Sequence, residues 1–247
     1  MNRRVLSAVA VLALVTPGAL ADFVDTHAPG FFFSVSTAGN TNGSASAAAF
    51  GSVTQVSAHE WFYSGAANKT GMGSLSWAFL VDPDPFITGT LTYTNTTSAA
   101  LDYTIDFTLN IDPVLHGGSY IAGQFSGTLT DANGSGSASL TSIAGGGPVY
   151  TALGDGAAIQ GLMSNASQSV SSPWGTTSFS GGSFGYPIGS MVGPAIHNTI
   201  GIRYAFTLSA GDSISFSSIF IANPVPAPGA LALAFVGCVV GGRRRRR

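Results

Sequence analysis

The chain has 247 residues, a mass of 25.0 kDa and a formal charge of −2. Seven of its nine basic residues lie at the two ends, so residues 22–223 keep only Lys69 and Arg203 against all eleven acids, a formal charge of −9. A body so poor in cations cannot neutralise phosphates, which excludes nucleic acid as a partner, and a single cysteine, Cys238, excludes a disulfide framework.

In chain order, Met1-Asn2-Arg3-Arg4 is a basic start and Val5 to Val15 is an apolar run. Pro17-Gly18 breaks it, and Ala19-Leu20-Ala21 has the small-x-small form cleaved by signal peptidase. Residues 1–21 therefore read as a signal peptide for the Sec translocon, with the mature chain starting at Asp22. The body that follows, residues 22–222, is patterned with period two. The first strands expected are Gly30 to Ser36, Gly51 to Ser57, Trp61 to Ser64 and Gly73 to Val81. Ile87 to Asn95 is next, and Asn95-Thr96-Thr97-Ser98 reads as a hairpin loop into the strand Leu101 to Asp112. There Tyr103, Ile105, Phe107, Leu109 and Ile111 alternate with polar residues, as on a half-buried antiparallel strand. Pro113 ends it, having no N–H for the ladder.

Tyr120 to Thr130 is a further strand, Thr151 to Met163 is ambiguous, and Ser164 to Pro194 reads as a long Ser/Gly-rich loop or edge insertion. Turns are expected at Asn40 to Gly43, Asp131 to Gly134, Gly145 to Pro148 and Ser180 to Gly182. Two closing strands alternate at Ile200, Ile202, Tyr204, Phe206 and Leu208, then at Ile214, Phe216, Ser218 and Phe220, with Ala210-Gly211-Asp212 turning the chain between them. Many short strands with Gly-rich turns predict an all-β fold, a single antiparallel β-sandwich of jelly-roll-like type. An N-terminal signal helix and a C-terminal apolar helix flank it.

The tail, residues 223–247, has three parts: a proline segment at 224–229, an apolar run at 230–242 and the stop Arg243, Arg244, Arg245, Arg246 and Arg247. A basic block just beyond an apolar run acts as a stop-transfer signal held on the cytoplasmic side. At roughly 1.5 Å per residue the run spans only about 20 Å, short for a lasting transmembrane anchor. Val225, Pro226, Ala227, Pro228 and Gly229, the apolar run and the arginines together resemble a PEP-CTERM sorting signal, with Pro-Ala-Pro where the family has Pro-Glu-Pro. The resemblance implies a Gram-negative-type envelope, transient residence in the inner membrane, processing by an exosortase-type membrane protease, and delivery to the cell surface or extracellular matrix.

Chemistry-bearing motifs are sparse. Gly181-Gly182-Ser183-Phe184-Gly185 has the G-x-S-x-G form of a nucleophile elbow, but no acid lies between Ser183 and His197. His27, His59, His116 and His197 lack metal-ligand spacing. Asp82 and Asp84 are the candidate loop ligands for Ca²⁺, and the row Asp102, Asp106, Asp112 reads as a solvated face. Trp174 and Trp61 are the candidate platforms for stacking sugars, whereas Trp77 belongs to the core. Asn42, Asn68, Asn95, Asn133 and Asn165 head N-x-[ST] sequons, which suit surface loops. No cofactor motif is present. The expectation is a non-enzymatic structural or adhesive protein whose uncharged polar surface suits an extracellular polysaccharide. The alternatives are a carbohydrate-binding module of the exopolysaccharide matrix and a polysaccharide-active enzyme pairing Glu60 with an aspartate.

Overall fold

The computed structural model describes residues 27–37, 40–41, 44–186 and 189–225. The signal peptide and its cleavage residues Ala19 and Ala21, the tail beyond Val225 and both flanking helices lie outside the described residues. Among those described, no helix is long and apolar enough to cross a membrane.

In chain order the strands are β1 (Phe31–Thr37), β2 (Asn40–Thr41), β3 (Ala45–Ser46), β4 (Gly51–Gln55), β5 (Trp61–Lys69) and β6 (Gly73–Asp82). They continue with β7 (Phe86–Thr94), β8 (Leu101–Asn110), β9 (Ser119–Thr130), β10 (Ala138–Ser142), β11 (Tyr150–Gly154) and β12 (Ala157–Leu162). The last are β13 (Ser167–Val170), β14 (Thr176–Phe184), β15 (Met191–Gly193), β16 (Thr199–Leu208) and β17 (Ser213–Pro224). A single 3₁₀ turn, Ala47–Phe50, is the one helical element among the described residues.

The protein is all-β, with two large antiparallel sheets. The first runs β12-β11-β16-β8-β1-β2, with β10 beside β16, β13 beside β10 and β3 beside β1. The second runs β14-β9-β17-β7-β6-β5-β4, with β15 beside β9. Alternation on each strand turns one set of side chains inward, and β8 shows the pattern: Tyr103, Ile105, Phe107 and Leu109 are fully buried. The inward sets meet ring to ring. Phe107 lies 4.6 Å from Phe79, Tyr103 lies 4.4 Å from Tyr93, and Tyr204 stacks on Phe216 at 5.3 Å and 5°. Glycine makes room where rings cross backbone, since a β-carbon on Gly65 would fall 2.5 Å from Trp77 Cζ2.

Both expected hairpins are something else. β7 pairs with β6 and β17, whereas β8 pairs with β1 and β16, so the segment 95–100 crosses from one sheet to the other. Ala210-Gly211-Asp212 does the same between β16 and β17. The two arches lie side by side because their strands pair in register, β7 with β17 and β8 with β16. Asn95 laces them together. Its amide donates to Ala99 O at 2.8 Å and to Leu208 O and Ser209 O at 3.0 Å, and its backbone N–H donates to Asp212 O at 2.9 Å. Asn95 is therefore wholly buried and offers no surface for glycosylation.

Three local expectations also change. Thr151 to Met163 is the β11–β12 hairpin, turning on Asp155-Gly156 with φ of 49° and 78°, a left-handed pair that an Asp-Gly dipeptide accepts. Ser164 to Pro194 is largely sheet, supplying β13, β14 and β15. Ser180 to Gly182 is a bulge inside β14 where the register to β9 shifts, not a turn.

Candidate functional site

The outward residues of the second sheet form ranks of hydroxyls. Register places Ser76, Thr92, Ser215, Thr128 and Ser178 in one transverse row across five strands. Ser74, Thr94, Ser213, Thr130 and Thr176 form the next, and Ala78, Thr90, Ser217, Ser126 and Ser180 the row on the other side. Neighbours in a row stand about 4.8 Å apart and rows about 6.8 Å apart, the strand spacing and twice the rise per residue. Hydroxyls bond along the rows: Thr92 Oγ1 donates to Ser215 Oγ at 3.2 Å, Thr94 Oγ1 to Ser213 Oγ at 3.1 Å, and Thr128 and Ser178 share a bond of 3.0 Å. Threonine suits this place, since its branched side chain favours a strand while its hydroxyl pairs across it. No ionisable side chain stands in these three rows.

Toward the opposite end of the same face the polarity changes. The next row passes Phe62, Leu80, Thr88, Ile219 and Gln124. A groove of about 270 Å³ opens here between Thr88, Gln124, Ser126, Ser217 and Tyr186. Tyr186 is 47 % exposed and Phe62 38 %. Hydroxyl and amide groups next to an accessible aromatic ring are the chemistry that holds a sugar, because the ring covers its C–H face while the polar groups bond its hydroxyls.

The outer face of the first sheet is built differently. Asp106 grips Arg203 through two bonds, Nε to Oδ1 at 2.7 Å and Nη2 to Oδ2 at 2.8 Å. Asp102 accepts from Thr207 Oγ1 at 2.5 Å. The hydrogen bond to Asp106 raises the guanidinium above its usual value. The row expected to be merely solvated is thus paired at two of its carboxylates.

The sequence-derived site residues fall in separate places. Trp174 is 68 % exposed with φ of 58°, two residues before Thr176 and so beside the hydroxyl rows. Trp61 corrects the expectation: only 6 % of it is exposed, its indole lies in the core, and it offers no platform. Its Nε1 and that of Trp77 are buried without a hydrogen-bond partner among the described residues. Asp82 and Asp84 form a turn in which the Asp84 N–H donates to Asp82 Oδ1 at 2.9 Å. Burial raises the Asp82 carboxyl, the Asp84 amide opposes this, and the nearby Asp84 charge adds to it. No group of three or more His, Cys, Asp or Glu is placed to hold a metal among the described residues. Of the tail's sorting segment only Val225 is described, one residue past β17.

The G-x-S-x-G segment lies along β14, with Ser183 opposite Gln124, and has no strand-to-helix elbow. Sequence spacing gave no sign that His116 and His197 meet, yet their rings stand 5.7 Å apart. The bridge between Leu115 and Ile196 brings them together, while Asp155 accepts from the His197 N–H at 2.8 Å. An apolar cavity of about 380 Å³ also opens near the end of the sheets, between Phe33, Val35, Ala67, Met72, Leu75 and Tyr93.

No protein-family model and no curated protein matches the chain. Among solved structures, a cyclase from Fischerella sp. TAU in complex with 4-(1H-indol-3-yl)butan-2-one is similar over 70 % of this chain and 93 % of that one, at 13 % identity and a TM-score of 0.23. A likeness that low carries no argument about fold or chemistry.

Proposed function

We propose that this is an exported, non-catalytic adhesive protein of the cell surface or extracellular matrix, which grips uncharged polysaccharide on the hydroxyl-covered face of its second sheet. The observation that carries the reading is the charge-free triple row, Ser or Thr at every place but Ala78, bordered by the exposed Tyr186, Phe62 and Trp174. An extended neutral glycan repeats its hydroxyls along one direction. A face of regularly spaced donors and acceptors matches such a chain at many weak points, and avidity then supplies affinity that no single deep pocket provides.

On this reading the body is a jelly-roll-like sandwich between a signal helix and an apolar C-terminal helix. Signal peptidase removes residues 1–21 after Sec export. The segment Val225-Pro226-Ala227-Pro228-Gly229 addresses the chain to an exosortase-type protease while the terminal arginines hold the apolar run in the inner membrane. The mature C-terminus, read by mass spectrometry on protein recovered from the cell surface, tests the sorting step. An intact Arg243–Arg247 there would refute it.

The binding step is tested on immobilised neutral and acidic polysaccharides. The protein should be retained on the neutral ones, and the double change Thr92→Lys and Ser215→Lys should weaken retention at least tenfold without unfolding the chain. Equal retention of wild type and variant, or retention on acidic polymers alone, would overturn the reading.

A further inference from the structure

At the end of the rows, two buried carboxylates come close together. Thr130 on β9 and Ser213 on β17 are register partners, and both point outward. One residue beyond this last register pair, just past the end of β9 and just before the start of β17, stand Asp131 and Asp212, whose exposures are 0 % and 1 %. Like charges brought close together repel, the more so when buried. The two body cations lie elsewhere: Arg203 is held by Asp106, and Lys69, at the end of β5, is three strands from β17, about 14 Å at the usual spacing.

The two acids are held differently. Asp131 accepts the Ser135 N–H at 3.2 Å and the Gly136 N–H at 2.8 Å. Burial alone would raise its carboxyl, but the backbone amides of Gly136, Ser135, Trp174 and Gly134 outweigh burial and keep it below the usual range. Asp212 Oδ2 accepts the Ser209 hydroxyl, while its Oδ1 is buried without a partner among the described residues. Burial raises the Asp212 carboxyl, the Ser209 hydroxyl opposes this, the neighbouring Asp131 carboxyl adds to it by its charge and by hydrogen bonding to the protonated form, and the Ala132 amide works against it. A buried carboxylate oxygen without a hydrogen-bond partner among the described residues, close to a second carboxylate that backbone amides keep ionised, is an arrangement that a cation or a shared proton would relieve.

The loop around Asp131 offers the other oxygens. Side-chain donors stand at alternate positions Asp131, Asn133 and Ser135, with Gly136 sixth and the Ser137 carbonyl seventh. This is the order in which the twelve-residue loop of an EF-hand presents its first ligands, including the glycine that makes the sharp turn, here at φ of 89°. Ser142 stands at the twelfth place, where such a loop has a glutamate. Asp212 supplies the missing carboxylate from the neighbouring arch, and Asn133 ties the two segments by donating from Nδ2 to Ala210 O at 2.8 Å.

We propose that Asp131, Asn133, Ser135, the Ser137 carbonyl and Asp212 bind one Ca²⁺ ion, which closes the β9–β10 turn onto the β16–β17 arch. Hard neutral and anionic oxygens favour Ca²⁺ over softer metals, and water completes the six to eight ligands the ion takes. The site differs from Asp82 and Asp84, which have no buried orphan oxygen.

Trp174 provides the reporter, because its indole lies against the loop: a β-carbon on Gly134 would fall 2.4 Å from Trp174 Cε2. Tb³⁺ added to the purified full-length chain in place of Ca²⁺ should luminesce on indole excitation, and Ca²⁺ should displace it. Titration calorimetry should show one Ca²⁺ per chain, with Ca²⁺ raising Tm and EDTA lowering it. Asp212→Asn should weaken binding at least tenfold. Trp174→Phe should remove the luminescence and keep the Ca²⁺ heat, which holds the test open even if the Asp212 variant folds poorly.

Absence of Ca²⁺ heat and of sensitised luminescence in the wild type would overturn the proposal, as would Ca²⁺ binding that Asp212→Asn leaves unchanged. A shared proton between the two acids is the competing arrangement. It would show as a Ca²⁺-independent Tm that falls with rising pH in the wild type and loses that dependence in Asp212→Asn, and this result too would sink the Ca²⁺ site.

Discussion

The two outer faces of the molecule come from the same two stretches of chain and still differ in kind. Residues 86–110 send β7 into one sheet and β8 into the other, and residues 199–224 do the same with β17 and β16. On β8 and β16 the outward residues include Asp102, Asp106 and Arg203, which pair within the face. On β7 and β17 they are Thr and Ser along most of their length. A face with paired charges satisfies itself and ends there. A face of hydroxyls keeps acceptor lone pairs free even where its protons are spent along the rows, since each hydroxyl offers one donor and two acceptor lone pairs. On the proposed reading, the difference favours the second sheet as the binding face and leaves the first as a self-paired surface.

Both faces depend on the arches that divide the chain between them, so the largest effect is expected at Asn95. Asn95→Ala removes the donors for Leu208 O and Ser209 O and the acceptor for the Thr97 N–H in a buried place. Loss of stability of roughly 2–4 kcal/mol should follow, seen as an earlier midpoint in urea with little change in slope. A variant within 0.5 kcal/mol of wild type, roughly the noise of a surface change, would mean that the arches hold without this residue.

Much of this was legible from the sequence. Period two announced β7, β8 and β16 to within a residue or two, and β17 as far as Phe220 although it runs on to Pro224, because each has one face on the core and one in water. The partner of each strand was not legible. A polar Asn-Thr-Thr-Ser stretch looks alike in a hairpin and in a crossing between sheets, and only the burial of Asn95 separates them. The hydroxyl rows were hidden for the same reason: their members lie up to 139 residues apart in the row Ser76 to Ser215, and register alone aligns them. Trp61 was misread because Trp61, Phe62 and Tyr63 are consecutive, and alternation buries the first and third while leaving Phe62 outside. The Asp131–Asp212 pair left no trace in the sequence beyond two separate turns.

A smaller effect separates the faces directly. Arg203→Met breaks the Asp106 pair, which is partly exposed, so stability should fall by no more than about 1 kcal/mol and less at high salt. Retention on neutral polysaccharide should not change. If Arg203→Met abolished retention, the charged face would be the binding surface, and the contrast would be reversed.

The smallest effect concerns acid. Asp155, at the β11–β12 turn of the first sheet, accepts the N–H groups of His197, Asn198 and Thr199 at 2.8, 2.7 and 3.0 Å. Desolvation works against its charge, but the three amides outweigh it and hold the carboxyl below its ordinary value of 3.8. A carboxyl lowered on folding adds stability that is fully present above 3.8 and is lost as pH falls through the folded value. Hydrogen exchange measured from pH 6 downward, after correction for intrinsic rates, should therefore loosen the amides of residues 197–199 first. The three hydroxyl rows contain no group that titrates in this range, so strand amides of β7 and β17 should hold their protection to lower pH. Simultaneous loss in both sheets would show that acid acts through a group common to them, with Asp131 and Asp212 at the shared end the first to test by substitution.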